Sequence, residues 1–195
     1  WESFKELLTV ADGPDRDSRA GPDDPALIVY TSGTTGRPKG AMLTQQALVF
    51  NAINSAAAHD MTSSDVIFTN LPLFHVGGLN IQTTPALHAG ASVILHRRFM
   101  ANQTVATIRD HRPTLMILVP AMMQALIDDP AWPEINFSSL RCIVTGSTTV
   151  PETILRTYLE RGIPIIQVYG LTETGPIAIH QRISDAYSSA GSIGK

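Results

Sequence analysis

Ala26-Leu27-Ile28-Val29-Tyr30-Thr31-Ser32-Gly33-Thr34-Thr35-Gly36-Arg37-Pro38-Lys39-Gly40 joins a short apolar run to a glycine- and hydroxyl-rich loop that carries two cations. The run has the length and composition of a strand buried on both faces. Gly33, Gly36 and Gly40 permit positive φ and close backbone approach, so that successive N–H groups can turn toward one anion. Thr31, Ser32, Thr34 and Thr35 add hydroxyl donors, and Arg37 and Lys39 add charge. A pair of glycines alone reads as a surface turn; eleven residues of one chemistry read as a loop that holds polyphosphate. The spacing is not that of a Walker A loop, because Gly36 is followed by Arg-Pro-Lys-Gly rather than by a Gly-Lys-Ser/Thr at the required interval.

Working outward, apolar runs without clean alternation recur at Asp65–Thr69, Ser92–His96, Thr114–Val119, Leu140–Thr145 and Pro164–Val168, as expected of parallel strands. Helical patterns lie between them. Thr44 is placed to cap a helix with the stripe Leu48, Val49, Ala52, Ile53 and Ala56. Met122, Met123, Leu126 and Ile127 form a second stripe, read as core filling. Pro151 suits a first helical turn, Ile154, Leu155, Tyr158 and Leu159 a buried face, and Gly162 the stop. The pattern predicts an α/β fold: a doubly wound, mostly parallel sheet flanked by helices in Rossmann-like layers. Residues 1–25 read as a helix over Trp1–Leu8 and a Pro-, Asp- and Gly-rich linker, and 26–195 as the core. The loops after Tyr30, Thr145 and Val168 are then expected on one edge of one sheet, where such folds bind ligands.

Composition narrows the class. With 195 residues, 44% hydrophobic and 16% charged, the chain suits one sizeable core. A formal net charge of −3 gives no basic face for nucleic acid, and no apolar run has the length of a membrane span. The N-terminus lacks the pattern of a secretory leader, so a cytoplasmic location is the expectation. The one cysteine, Cys142, lies in an apolar run and reads as an inert strand residue.

Three further blocks carry a resemblance: Leu71-Pro72-Leu73-Phe74-His75-Val76-Gly77-Gly78-Leu79, Thr145-Gly146-Ser147-Thr148-Thr149-Val150-Pro151 and Tyr169-Gly170-Leu171-Thr172-Glu173-Thr174. With the Thr31–Gly40 loop, and in this order, they resemble the signatures of the adenylate-forming superfamily, which includes acyl-CoA synthetases, coumarate ligases, luciferase and peptide-synthetase adenylation domains. The resemblance runs from Ala26 to Lys195. It implies a piece of the large N-terminal domain of a longer enzyme, without the ribose aspartate, hinge arginine and lysine-bearing C-terminal domain, and so nearly inactive alone.

The chemistry implied by the resemblance is acid–thiol ligation. A carboxylate attacks the α-phosphorus of ATP to give an acyl-adenylate, and coenzyme A takes the acyl group. Thr31, Ser32, Gly33, Thr34, Thr35, Gly36 and Lys39 would hold the β- and γ-phosphates. Gly146, Ser147 and Thr148 would lie against adenine and acyl group, and Tyr169 and Gly170 beside adenine. Thr172 would donate to the α-phosphate and Glu173 would hold Mg²⁺. His75 would contact the carboxylate or α-phosphate and help gate the thiol, with Gly77 and Gly78 leaving space for acyl chain or pantetheine arm. His59, His88, His96, His111 and His180 have no such context. His75 stands where amino-acid-activating relatives carry aspartate, which disfavours an amino-acid substrate. Ser147-Thr148-Thr149 departs from the usual Gly-Ala-Pro-like turn. The acid, fatty or aryl, is left open. So are a luciferase-like acceptor, a non-catalytic nucleotide-binding module and the oligomeric state.

Overall fold

The computed structural model describes residues 19–33, 36–189 and 191–194. The helix expected over Trp1–Leu8, most of the linker, and Thr34 and Thr35 lie outside the described residues. The first elements are an antiparallel hairpin, β1 (Pro25–Thr31) and β2 (Lys39–Thr44), which leads into α1 (Gln45–Ala58). Then come β3 (Val66–Thr69), a helical segment α2 over 76–88, β4 (Ser92–Leu95) and α3 (Ala101–His111). β5 (Leu115–Ile117), α4 (Pro120–Ile127), β6 (Cys142–Thr145), α5 (Glu152–Glu160), β7 (Ile165–Tyr169) and β8 (Ile179–His180) complete the order.

Six strands form one sheet in the order β4-β3-β5-β6-β7-β8, parallel except for β8. Each parallel strand shows alternate side chains to two helical layers. Phe68, Met116, Ile143 and Ile165 pack with Ile108 of α3, Met123 and Leu126 of α4, and Ile154, Leu155 and Tyr158 of α5. Ile67, Leu115, Ile117, Cys142, Val144 and Ile166 pack on the other face with Ile81 and Ala86 of α2. This is the predicted doubly wound α/β fold. The Met123–Leu126 and Ile154–Leu155–Tyr158 stripes are core as expected. Burial pushes the Cys142 thiol up to about 12, as its role in the strand demands.

Two expectations are corrected. The strand before the glycine loop is not in the main sheet: among the described residues β1 pairs only with β2, and Ile28 and Tyr30 are exposed. The stripe on α1 holds only in part, with Ala52 buried and Leu48 and Ala56 packed on the core. Thr44 does cap it, accepting from the Ala47 N–H at 3.2 Å, but Val49 and Ile53 are each 46% exposed and the buried positions are Asn51, Ala52, Ser55 and Ala58.

The reason lies in α2, whose middle, Leu79–Thr83, is a π-turn. Widening the helix frees carbonyls, which need outside donors in the interior. Asn51 Nδ2 donates to the Asn80 carbonyl at 2.7 Å, and Ser55 Oγ donates to that of Ile81. Thr83 Oγ1 donates to the Gly78 carbonyl at 2.7 Å and Thr84 Oγ1 to that of Leu79 at 3.1 Å. A polar inner face on α1 is therefore required.

At the opposite edge, the starts of β3, β5 and β6 are tied by Asp65. Its carboxylate accepts from Arg141 at 2.8 Å, Thr114 Oγ1 at 2.6 Å and the Thr62 N–H at 2.8 Å. Arg141 also donates to the carbonyls of His59 and Asp60. Burial works against the Asp65 charge, but the bonds from Thr114, Thr62 and Arg141 hold its carboxyl below the ordinary value.

His59 is fully buried with Nδ1 3.2 Å from Ser55 Oγ. Burial, reinforced by the charges of His180 and Arg141, pushes it down from 6.5 to about 3. The fold holds this ring neutral, so below pH 6.5 the unfolded chain binds one proton more than the folded chain. Stability should therefore fall as pH drops from 6.5 toward 3, by roughly 1.4 kcal/mol per unit once the unfolded ring is charged. Asp65 adds to this fall only below its unfolded value of 3.8, because its stabilisation is fully present above that value and is lost beneath it. Urea unfolding between pH 6.5 and 4.5 should show this slope in the wild type and lose most of it in His59→Asn.

Candidate functional site

Three segments meet at the carboxyl ends of β3, β6 and β7, and the hairpin reaches them from outside the sheet. After β3, the chain runs through Leu71-Pro72-Leu73-Phe74 to His75, which caps α2. Its Nδ1 accepts from the Gly77 N–H at 2.9 Å. A ring nitrogen that accepts from a backbone N–H carries no proton, so in the neutral ring the proton sits on Nε2. His75 is exposed and borders a cavity of about 240 Å³.

That cavity is walled by Val76, Ile81, Val168, Leu171, Pro176 and Ile177, with His75, Ser147 and Thr172 as the polar side chains on it. Gly77 borders it too. Gly78 does not: a Cβ there would fall on the Pro72 carbonyl, so this glycine serves chain packing and leaves no space for a ligand arm. That corrects the expectation for Gly78.

After β6, Gly146 lies against β7, where a Cβ would stand 2.6 Å from the Val168 carbonyl oxygen. Ser147 follows with φ 72°, in the left-handed region that favours glycine. Thr148 is exposed beyond it. After β7, Tyr169 is 48% exposed, which removes the alternative that it is a core residue.

Gly170 then turns the chain so closely that a Cβ would fall on the Pro176 carbonyl. Residues Thr172–Thr174 form a 3₁₀ turn. Thr174 Oγ1 accepts from the Leu171 N–H at 2.9 Å and sits 3.0 Å from the Leu171 and Pro176 carbonyls, either of which can take its proton. This knot presents Thr172 and Glu173 outward. The sequence reading did not single out Thr174; its signal was a third hydroxyl or acid in a row after a glycine. Nor did it single out the apolar wall, whose residues come from α2, β7 and the Pro176–Ile177 return, and have no shared local pattern.

The glycine loop closes the hairpin. Gly33 and Gly36 take φ 65° and 77°, as anticipated, and the Gly36 N–H donates to the Gly33 carbonyl at 3.4 Å. Thr31 Oγ1 donates to the Lys39 carbonyl at 3.4 Å, across the register pair Thr31↔Lys39. Ser32, Arg37 and Lys39 are exposed, and neither cation is in an ion pair among the described residues. β2 packs against the Thr172–Thr174 turn. So the loop reaches the same neighbourhood as the other motifs, by way of a hairpin rather than a sheet strand.

For a metal, the donor set is sparse: among the described residues no three His, Cys, Asp or Glu side chains cluster. Glu173 is a single free carboxylate. One hard oxygen donor fits magnesium carried on substrate phosphates, which keeps most of its ligands from phosphate and water.

Fold and converging loops define the class: a doubly wound α/β domain with its ligand site at the strand carboxyl ends. Comparison gives the family. The model of the AMP-binding enzyme family matches residues 2–195, and the chain belongs to that family. It is 52% identical over 196 residues to an indoleacetate–CoA ligase of Aromatoleum aromaticum, covering all of this chain and 38% of that protein. A feruloyl-CoA synthase of Amycolatopsis is 37% identical over 94% of this chain and 38% of its own length.

Among solved structures, the inhibitor-bound N-terminal domain of FACL13 from Mycobacterium tuberculosis superposes with a TM-score of 0.88 at 30% identity, over 98% of this chain and 48% of that one. The O-succinylbenzoate coenzyme A synthetase of Bacillus subtilis, in complex with ATP and magnesium ion, gives 0.80 at 33% identity, over 90% and 36%. The chain thus spans less than half the length of these relatives.

The two glycines that end α5 and β7 should respond differently to substitution. Gly162 has φ 72° but open space around its Cβ position, so Gly162→Ala should cost about 1 kcal/mol. Gly170→Ala drives a methyl into the Pro176 carbonyl and should cost roughly 3 kcal/mol or more. Urea unfolding of both variants measures the difference; equal losses would refute the close approach at Gly170.

Proposed function

We propose that the chain is the nucleotide- and acid-binding part of an AMP-forming acid–thiol ligase, which activates an aromatic carboxylic acid with ATP and passes the acyl group to coenzyme A. The observation that carries this is that three of the motifs, at His75, Ser147 and Gly170–Thr172, line one small cavity, while β2 of the hairpin that carries the glycine loop packs against the Thr172–Thr174 turn. Membership of the AMP-binding enzyme family supports it, and so do the aromatic acids named for the indoleacetate, feruloyl and succinylbenzoate enzymes. ATP and coenzyme A as co-substrates favour a cytoplasmic enzyme.

Each residue has a task set by charge. The loop amides and hydroxyls, with Lys39 and Arg37, receive the β- and γ-phosphates that leave as pyrophosphate. Tyr169 and Gly170 lie beside adenine, with the exposed ring of Tyr169 as the flat face. Thr172 donates to the α-phosphate. His75, held by Gly77 with its proton on Nε2, donates to the carboxylate or to the α-phosphoryl oxygen as charge moves between them. The apolar wall from Val76 to Ile177 takes the ring of the acid. Magnesium, when bound, neutralises charge on the phosphoryl oxygens, and Glu173 is the side chain that would hold it.

The test is ATP–pyrophosphate exchange by the whole native protein with a panel of aryl, fatty and dicarboxylic acids, followed by thioester formation on adding coenzyme A. Exchange should depend on aryl acids and thioester should follow. Lys39→Ala and Glu173→Gln should each lower exchange by roughly 100-fold. Both side chains are exposed and outside any ion pair among the described residues, so Tm should stay within about 2 °C. Unchanged exchange in both variants would remove the site assignment. ATP binding without exchange on any acid would favour a nucleotide-binding module, and exchange without thioester a different acceptor.

A further inference from the structure

We infer that Ser147 selects among acids: its hydroxyl hydrogen-bonds a polar ring atom of the substrate, such as an aromatic N–H or phenolic O–H, and so favours heteroaromatic or hydroxylated aryl acids over plain hydrocarbon ones. This rests on the acid-activating function proposed above and adds the substrate's chemistry to it.

Ser147 occupies a position that suits glycine. Its φ is 72°, between Gly146, whose Cβ position is blocked by the Val168 carbonyl, and the exposed Thr148. The backbone cannot relax by moving toward β7, because Gly146 is already in close contact there. A non-glycine residue held in this region carries a conformational cost, and such residues cluster at ligand sites. Of the non-glycine residues at positive φ among the described residues, Asp60, Arg112 and Ser147, only Ser147 lines this cavity.

The hydroxyl gains nothing from the protein in return. It has no hydrogen-bond partner among the described residues, as is also true of Thr172, whereas the Thr174 hydroxyl is used within its own turn. The rest of the cavity is divided by chemistry. His75 and Thr172 stand where the carboxylate and α-phosphate meet, while Val76, Ile81, Val168, Leu171, Pro176 and Ile177 form an apolar wall. Ser147 is the remaining polar side chain on that cavity. Ser147 is exposed, so water satisfies its hydroxyl until a ligand arrives; a ring that covers it against the apolar wall must supply a partner or leave it unpaired, which favours a polar ligand over its hydrocarbon isostere.

The experiment measures adenylation kinetics of the whole native protein for two pairs of near-isosteric acids: indole-3-acetate against naphthalene-1-acetate, and 4-hydroxycinnamate against cinnamate. The wild type should prefer the polar member of at least one pair by about tenfold in kcat/KM, carried mainly by KM. Ser147→Ala should bring that ratio close to one, and Ser147→Thr, which keeps the hydroxyl, should retain part of it.

Ser147→Gly should also abolish the preference, while relieving the backbone and raising Tm by about 1–2 °C. No discrimination in the wild type, or discrimination that survives both Ser147→Ala and Ser147→Gly, overturns the inference and leaves acid activation standing. A uniform rise in the KM for ATP with every acid, and unchanged ratios, also overturns it, by placing the hydroxyl on the nucleotide. Absence of exchange with all four acids and with the wider panel overturns the underlying function itself.

Discussion

Carbonyl groups freed by the π-turn at Leu79–Thr83 set the position of much of the molecule. They lie in the interior, where an unpaired carbonyl costs on the order of 1–3 kcal/mol, and Asn51 and Ser55 of α1 supply two of the donors. That requirement fixes the face that α1 turns inward. Because α1 follows β2 without a break at Thr44, its docking also fixes where the hairpin and its glycine loop stand. Asn51 further lies against Gly175, just past the Thr172–Thr174 turn. One polar side chain thus touches both α2, whose N-cap is His75, and the turn that carries Glu173.

The same logic separates polar from apolar chemistry over the whole sheet. Strands with both faces covered leave only their ends for polar groups. At the amino ends, Asp65, Thr114 and Arg141 neutralise one another and tie three strand starts. At the carboxyl ends, and on the hairpin beside them, the Ser147 hydroxyl, Thr172, Glu173, Lys39 and Arg37 have no ion-pair or side-chain partner among the described residues. The amino-end edge is thus satisfied internally and holds the fold.

Much of this was legible in the sequence because it rests on local chemistry. Apolar runs bounded by turns gave the five parallel strands, glycines with hydroxyls marked three of the loops, and a histidine before paired glycines marked the fourth. The failures came from long-range terms. Ala26-Leu27-Ile28-Val29 has the composition of a buried strand, yet only Val29 is buried, and among the described residues β2 is its one sheet neighbour. On α1 the apolar stripe Val49–Ile53 was misleading, since the π-turn opposite it cannot be seen in residues 76–88 by periodicity. Gly78 looked like space for a ligand and is contact with Pro72. The glycine-like backbone at Ser147 was invisible, because a serine in a turn gives no sign of its φ.

The division of the cavity into a polar rim and an apolar wall has a consequence for how binding energy is used. On the proposed function, an anionic acid approaching a polyphosphate is repelled, and no cation of the described residues lines the cavity. Attraction at the reacting carboxylate would then fall to the Nε2–H of His75 and the hydroxyl of Thr172. The ring would supply much of the acid's affinity through burial against Val76, Ile81 and Ile177, at about 25 cal/mol per Å² of apolar surface. Binding energy taken at a remote ring and spent on bringing two anions together is the arrangement that raises turnover rather than only tightening the substrate. On the proposed function, a polar contact at Ser147, which borders this cavity, gains leverage over which acid is used, because all the acids share a carboxylate and only the ring differs.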